Sequence, residues 1–500
     1  MTTKYDFSTG LARIARDANG RAIALDDARS TDAHQYFDGL GRPVRSLGYD
    51  GRNLRTVTQG AQARSFTYDS LSRLTSATIP ESGTTRYKYD ANGNLVLKID
   101  PRQRTGTLTL PDCAAPYAGS QVAVCYAYDS LNRIQSRTYN DGTPNVSYTY
   151  DDASAANSKG RLTKVSSSAS VYRYTAYDAA GRVTGSSQAT DGVTYAMAYG
   201  YDLASNLTSE QYPSGRVVRT EYDDAGRVAG AKDQAAGFYY AGGAPSDANN
   251  RIRYAPHGAV EPLRLGNGLW EHASFNSRLQ TEQIGLGASP ITSGVLKLGY
   301  GSVVNGVLDP TKNNGNPRSR TITTPGAPAS FVQTYDYDEL NRLEPAEEKV
   351  GSSSNWKQVF VYDCYGNRNF AAGTMSPDYS QAALDPATGL PQDPAGNPVI
   401  DPSNNRVKTS APGQSAYQYD AAGELLCDAA HPCGSGQTAS MPYYSYDADG
   451  RLEAAGGGYA AGGPSYTYDG DGRRVKKAVY VGEATVFVYD ASGRAAEYSN

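Results

Sequence analysis

One phrase, Y-D-x-x-(G/N/S)-(R/N), constrains this chain more than any other feature. It begins at Tyr49, Tyr68, Tyr89, Tyr128, Tyr150, Tyr177, Tyr201, Tyr222, Tyr337, Tyr362, Tyr419, Tyr446, Tyr468 and Tyr489, most often at intervals of 19 to 27 residues. The copies at Tyr49 and Tyr150 have altered turns, and a degenerate copy with Phe37 precedes them. Self-similarity at a short period marks a repeat architecture, in which each unit is stabilised mainly by its neighbours.

Each part of the phrase has a physical reason. Eleven of the fourteen tyrosines have Tyr or Phe two positions earlier: Phe66, Tyr87, Tyr126, Tyr148, Tyr199, Tyr335, Phe360, Tyr417, Tyr444, Tyr466 and Phe487. Residues two apart share a face of a strand, so each strand presents an aromatic pair to one side. The aspartates that follow, among them Asp69, Asp90, Asp129, Asp178, Asp223, Asp447, Asp469 and Asp490, are placed to accept bonds from backbone N–H groups of the next turn. Three residues on stands Gly or Asn, as at Gly93, Asn132 and Gly181, types that tolerate the positive φ a longer hairpin loop requires. Arg73, Arg133, Arg182, Arg227, Arg342, Arg451, Arg473 and Arg494 come next. From there an arginine reaches a carboxylate of a neighbouring repeat or stacks on its tyrosine.

One unit of about 21 residues is therefore a β-hairpin, two strands and two turns. A lone hairpin is marginal in water, whereas hairpins paired side by side form a long antiparallel ribbon that twists and curls. The predicted fold is all-β: repetitive antiparallel β-hairpins forming a spiral sheet, a whole or partial shell, as one continuous domain over 1–500. Irregular insertions are expected at 101–125, 230–330 and 373–412. Within the second, Asn249-Asn250-Arg251-Ile252 and Phe275-Asn276-Ser277-Arg278-Leu279 look like worn copies. Composition agrees: Tyr occurs 40 times and Gly 53, against 9 Phe, 2 Trp and 4 Met. That profile suits short strands and tight turns rather than amphipathic helices.

Charge narrows the partners. There are 47 basic and 51 acidic residues, a net of −4, with no long run of either sign, so a nucleic-acid partner is not expected. No stretch approaches the roughly 20 apolar residues of a membrane helix. The opening MTTKYDFSTG has neither a basic n-region nor an apolar h-region and does not read as a signal peptide. Five cysteines stand at 113, 125, 364, 427 and 433. Two local disulfides, Cys113 with Cys125 and Cys427 with Cys433, leaving Cys364 free, would fit an exported protein; reduced, half-buried thiols are the equal alternative. Cys427, His431 and Cys433 lack a fourth ligand for a structural metal site.

No catalytic constellation stands out. An active site needs a singular arrangement with perturbed acidities, whereas one aspartate here recurs in every unit. His34, His257, His272 and His431 have no nucleophile motif around them. Asp469-Gly470-Asp471-Gly472 lacks the ligand series and closing Glu of a Ca²⁺ loop and reads as a glycine-rich turn. No catalytic, cofactor or metal site is predicted, and the chain is read as a non-enzyme.

The phrase, with the aliphatic that follows it, resembles the YD repeat of the Rhs, teneurin and insecticidal toxin-complex proteins across nearly the whole chain. The resemblance implies a spiral β-sheet winding into a hollow shell, which in bacterial members encloses a C-terminal toxin and in teneurins supports cell-surface adhesion. The chain ends on Gly493-Arg494-Ala495-Ala496-Glu497-Tyr498. It carries no R-Y-Y-D-P-type closing segment, autocleavage module or toxin domain, so it reads as a fragment or a reduced shell. The expected function is a structural shell whose partner is a polypeptide cargo or a capping protein. The alternative is cell-surface adhesion or carbohydrate binding through exposed tyrosines, and either implies a secreted or cell-surface setting.

Overall fold

A computed structural model describes residues 13–16, 22–26, 33–37, 43–50, 53–103, 119–304, 307–309, 316–327, 329–363, 365–371, 399–408, 417–428, 431, 442–456, 463–479, 482, 484–493 and 495–499. These residues form strands and turns throughout. Among them no helix is long and apolar enough to cross a membrane. The fold is all-β, with repeated antiparallel strands in large sheets.

Two compact units divide the chain: Met1–Tyr174, Gln188–Thr194 and Pro398–Asn500 in the first, Thr175–Ser187 and Tyr195–Asn397 in the second. In the first unit each strand pairs with the next in sequence. Gln62–Tyr68 pairs Leu74–Ile79, which pairs Gly83–Tyr89, which pairs Leu95–Gln103, and the ladder runs on through Gln121–Tyr128, Ile134–Tyr139, Val146–Tyr150 and Leu162–Ser166. A second ladder runs from Tyr444–Tyr446 to Ala495–Ser499. Within the expected insertion at 101–125, residues 101–103 and 121–125 continue the first ladder, Gln121 opposite Gln103, and 104–118 lie outside the described residues.

The second unit repeats the plan. Val193–Tyr201 pairs Leu207–Gln211, and pairing continues through Val217–Tyr222 and Val228–Asp233 to Tyr239–Gly242. A ladder from Pro262–Arg264 to Arg368–Phe370 follows, joined to the first by an Ala241–Leu265 bridge. Residues 230–330 thus hold strands although the phrase is missing there. Of 373–412, only 399–408 lie within the described residues, as the hairpin Val399–Asp401 with Arg406–Lys408.

The strands are one-faced. Along Val193–Tyr201, Tyr195, Met197 and Tyr199 are buried while the residues between them are exposed. That alternation is the period-2 consequence of one covered face. In the first unit Val122, Val124, Tyr139, Val146, Val165 and Ala448 form one apolar cluster, with Tyr126 and Tyr148 against it.

Candidate functional site

The turn at Asp69 shows how the phrase works. Its N–H donates to the Arg73 carbonyl at 3.0 Å, and the Ser72 N–H donates back to the Asp69 carbonyl at 3.0 Å. Asp69 Oδ1 accepts the N–H groups of Leu71 and Arg73, both at 2.9 Å, and Oδ2 accepts Arg73 Nε at 2.7 Å. The same double closure recurs from Asp129 to Arg133 (2.7 Å), Asp178 to Arg182 (2.6 Å), Asp223 to Arg227 (3.0 Å), Asp447 to Arg451 (2.7 Å) and Asp469 to Arg473 (2.8 Å). At Asp90 the partner is Asn94, and at Asp490 the bonds come from Ser492. These donors stabilise the carboxylate form. The Arg73 N–H holds Asp69 below the usual carboxylate range, the Arg133 and Arg182 N–H groups do the same for Asp129 and Asp178, and the Arg227 side chain does it for Asp223.

The arginine then reaches into the next repeat. Arg73 lies 5.0 Å from the Tyr89 ring and donates Nη1 to the Asp90 carbonyl at 2.9 Å. Arg133 covers Tyr150, Arg182 Tyr201, Arg451 Tyr468 and Arg473 Tyr489, at 4.3–5.1 Å. The tyrosine hydroxyl answers in the opposite direction. Tyr89 donates to the Leu74 carbonyl at 2.9 Å, Tyr128 to Leu95 at 2.9 Å, Tyr222 to Leu207 at 2.9 Å, Tyr446 to Leu425 at 2.9 Å, Tyr468 to Leu452 at 2.8 Å and Tyr489 to Arg474 at 2.7 Å. In each pair the acceptor lies five residues past the preceding turn's aspartate. Of the two partners expected for the arginine, the carboxylate belongs mainly to its own turn and the tyrosine to the next. Tyr68 and Tyr177 also end strands, Gln62–Tyr68 and Ser170–Tyr177.

One copy was illegible in the phrase. Tyr254-Ala255-Pro256-His257-Gly258-Ala259 has Ala where Asp stands elsewhere. It still closes the turn, Ala255 N–H to Ala259 at 2.9 Å, and Tyr254 donates to the Val228 carbonyl at 2.8 Å. The worn copy at Phe275 uses Asn276, whose Oδ1 accepts Arg278 and Gln280 N–H groups at 2.9 and 3.0 Å. Backbone closure of the turn therefore survives loss of the carboxylate.

Cys125 and Cys427 are disulfide-bonded and buried. Cys113, Cys364, Cys433 and Arg494 lie outside the described residues.

Within the first unit, the turns of the second ladder dock onto strands of the first. Arg102, 8% exposed, donates to the carbonyls of Asp447 at 2.9 Å and Ala448 at 3.1 Å, and its Nε pairs with Asp100 at 2.8 Å. The Ala448 N–H donates to Thr143 Oγ1 at 2.9 Å, and Tyr139 donates to Asp449 at 3.0 Å. Gly470 lies against Val146 and Val165, where an added Cβ would come within 2.6 and 2.5 Å of their methyl groups. Gln188 donates to the Phe487 carbonyl at 2.8 Å and accepts the Tyr489 N–H at 3.1 Å. Asp447, Asp469 and Asp490 are buried in consequence, whereas Leu71 and Leu131, at the tips of undocked turns, are 68% and 69% exposed.

A cavity of about 700 Å³ lies along this seam, lined by Arg102, Asp141, Asp420, Tyr446 and Glu453 among others. Burial pushes the Tyr446 hydroxyl up to about 12. Of these seam positions, sequence singled out Tyr446, Phe487, Tyr489, Gly470 and the turn aspartates, but not Arg102, Thr143, Gln188 or Glu453. The legible signals were the carboxylates at Asp449 and Asp471, where exposed turns carry leucine, and Glu424, where the phrase has Arg or Asn.

A protein-family profile described as Teneurin YD-shell matches residues 51–241. No curated protein matches the chain in sequence. Among solved structures the chain is similar to the Photorhabdus luminescens Tc holotoxin pore carrying a TccC3 mutation, at 16% identity and a TM-score of 0.57, with 96% of this chain and 26% of that one covered. It is also similar to the TcdB2–TccC3–Cdc42 crystal structure, at 15% identity and 0.57, with 98% and 27% covered. TcdB2–TccC3 without its hypervariable C-terminal region gives 16% identity and 0.56, with 96% and 26% covered. At such identities the likeness shows the fold: an all-β repeat sheet of the YD-shell kind. The chain spans about a quarter of the length of the solved structures it matches.

Proposed function

We propose that the chain builds part of a non-enzymatic β-wall that encloses a polypeptide cargo. The observation that carries this reading is the repeat-to-repeat staple, in which phrase arginines stack on, and phrase tyrosine hydroxyls donate to, the neighbouring hairpin in copy after copy. A wall held this way depends on no single residue and commits those tyrosine hydroxyls internally. It has the chemistry of a container rather than a reactive cleft. The fold likeness to Tc toxin assemblies points to the same role, with the cargo or a capping protein supplied by further sequence. The disulfide bonds at Cys125 and Cys427 favour an oxidising, exported setting.

Cryo-electron microscopy of the purified chain, alone and joined to a marker polypeptide, tests the reading. The expected result is a curved wall around a void, with marker inside the void resisting added protease. A filled interior, or marker digested as fast as free marker, would overturn it.

A further inference from the structure

Twelve copies of the phrase have an unaltered turn, and in eleven of them the residue four past Asp is Arg or Asn. At Asp420 it is Glu424. The difference is structural as well as chemical. In the other turns whose fifth residue is described, a cationic or amide side chain takes Oδ2 of the aspartate, as Arg182 does for Asp178 at 2.6 Å and Asn206 for Asp202 at 2.9 Å. Asp420 Oδ1 keeps its backbone bonds from Ala422 and Glu424, at 2.9 and 2.8 Å. Its Oδ2 has only Arg102 Nε, at 3.9 Å. Glu424 meanwhile extends to the next turn, with Oε1 2.8 Å from where a Cβ on Gly450 would lie. It therefore points toward Asp447 and Asp449 rather than stacking on a tyrosine as an arginine would.

The charged groups around this point do not compensate. From strand Leu95–Gln103 come Asp100 and Arg102, and Arg102 is committed to Asp100 and two carbonyls. From the turn after Ile134–Tyr139 comes Asp141, and from that strand Arg137, which pairs with Asp449 at 3.7 Å. From Arg406–Lys408, Arg406 donates to the Glu81 carbonyl. From the following turn, Arg451 is tied to Asp447 and Asp449 at 2.7 and 3.2 Å. Tyr446 and Glu453 complete the wall of the cavity. Among the described residues, neither Glu424 nor Glu453 has a hydrogen-bonding or ion-pairing partner for its carboxylate. Every nearby arginine is already engaged.

We propose that this seam is an acid-tightened closure, held loosely while Asp420 and Glu424 are ionised and firmly once they take up protons. The physical cause is removal of like charge from a crowded, partly buried cleft. Burial raises both acids above their ordinary values, and neighbouring Asp420 adds to the effect at Glu424. Glu453, on strand Leu452–Ala455, is exposed and leaves its charge to solvent. An acid raised in the folded state contributes full stability below its ordinary value, 3.8 for Asp and 4.5 for Glu, and loses it as pH rises through the raised value. The ordinary turns run the other way. Their aspartates are lowered, so their contribution is complete above 3.8. From about pH 4.5 upward the seam should therefore respond while the turns closed by Asp69 and Asp178 do not.

Hydrogen exchange of the full chain at about pH 4.5 and about pH 7.5, corrected for intrinsic exchange rates, tests this. Amides of 97–103 and 445–455 should gain several-fold protection at the lower pH, while turns 69–73 and 178–182 stay level. Glu424→Gln should raise seam protection at the higher pH and shrink the difference. Glu424→Arg, which restores the phrase, should do the same. Seam protection that is flat or falls toward acid, or a Glu424→Gln seam as pH-sensitive as wild type, overturns the proposal. Either failure would leave the wall reading untouched, because the staple does not involve Glu424.

Discussion

At the residue scale, the aspartate and the residue three beyond it do separate work. The carboxylate satisfies turn N–H groups, while the later position must adopt positive φ. Gly fills that position without strain, as at Gly181 (φ 86). Leu279 adopts φ 64 in the Asn276 turn with its side chain 51% exposed, so it bears the steric cost with little burial in return. Leu279→Gly is expected to stabilise the protein by about 1 kcal/mol, read as a higher denaturant midpoint; an unchanged or lower midpoint would refute it. Tyr89→Phe keeps the ring beneath Arg73 but leaves the Leu74 carbonyl without its donor. It should cost about 1 kcal/mol by the same measurement. The lowered acidities of Asp69, Asp129, Asp178 and Asp223 carry a pH sign as well. Their contribution holds above 3.8 and is lost as pH falls through the depressed values, so the turns should loosen in strong acid. Loss of sheet circular dichroism on titration below about pH 4 checks this.

At the element scale, most of the hairpins carry a bulge where the tyrosine meets the returning strand, whereas those at Tyr362 and Tyr489 pair in straight register. Thr67 is opposite Ser76 but Tyr68 is opposite Leu74, leaving Thr75 as the extra residue. The same shift occurs at Tyr89, Tyr128, Tyr150, Tyr201, Tyr222 and Tyr468. A bulge increases local twist, so its recurrence along the ladder gives a built-in bend. The phrase spelled out a turn and an aromatic pair but not this shift, because register belongs to two strands jointly. Residues 230–330 make the complementary point. The Ala255 turn escaped a search for Asp because the backbone alone closes it, and the Asn276 turn was legible only as a worn copy because an amide oxygen stands in for the carboxylate. Arg182 joins elements through its planar fork, bonding Asp178 and the Asp202 carbonyl while covering Tyr201. Arg182→Lys keeps the charge and loses that geometry. It should cost about 1 kcal/mol and speed amide exchange across 199–209; unchanged exchange would count against the staple.

At the scale of the whole molecule, the seam of the first unit sets which turns are buried. Arg102 sits among main-chain carbonyls 345 residues away in sequence. Arg102→Ala would strand those carbonyls and Asp100, at a cost on the order of 3 kcal/mol measured by denaturation. Gly470→Ala would force Val146 and Val165 aside, at a cost of roughly 1–3 kcal/mol, whereas the same change at Gly226, with open space around it, should be felt only through its backbone φ of 73. Equal losses at both glycines would show that docking contributes nothing.

The sequence by itself determined the hairpin: its period, its turn chemistry, its aromatic face and the all-β class. These rest on residues two to five apart, whose geometry is fixed by backbone sterics and local hydrogen bonds wherever the phrase occurs. The tertiary structure alone decided which copies land against another strand. Asp178 and Asp447 sit in nearly identical turns, with the same arginine closure at 2.6 and 2.7 Å, yet Asp447 is buried beneath Arg102. Their closing geometry does not distinguish them, because docking depends on where a distant stretch of chain returns. The substitution of Glu424 for arginine was visible in the phrase. Its meaning came only from the carboxylates and engaged arginines that the fold gathers around it.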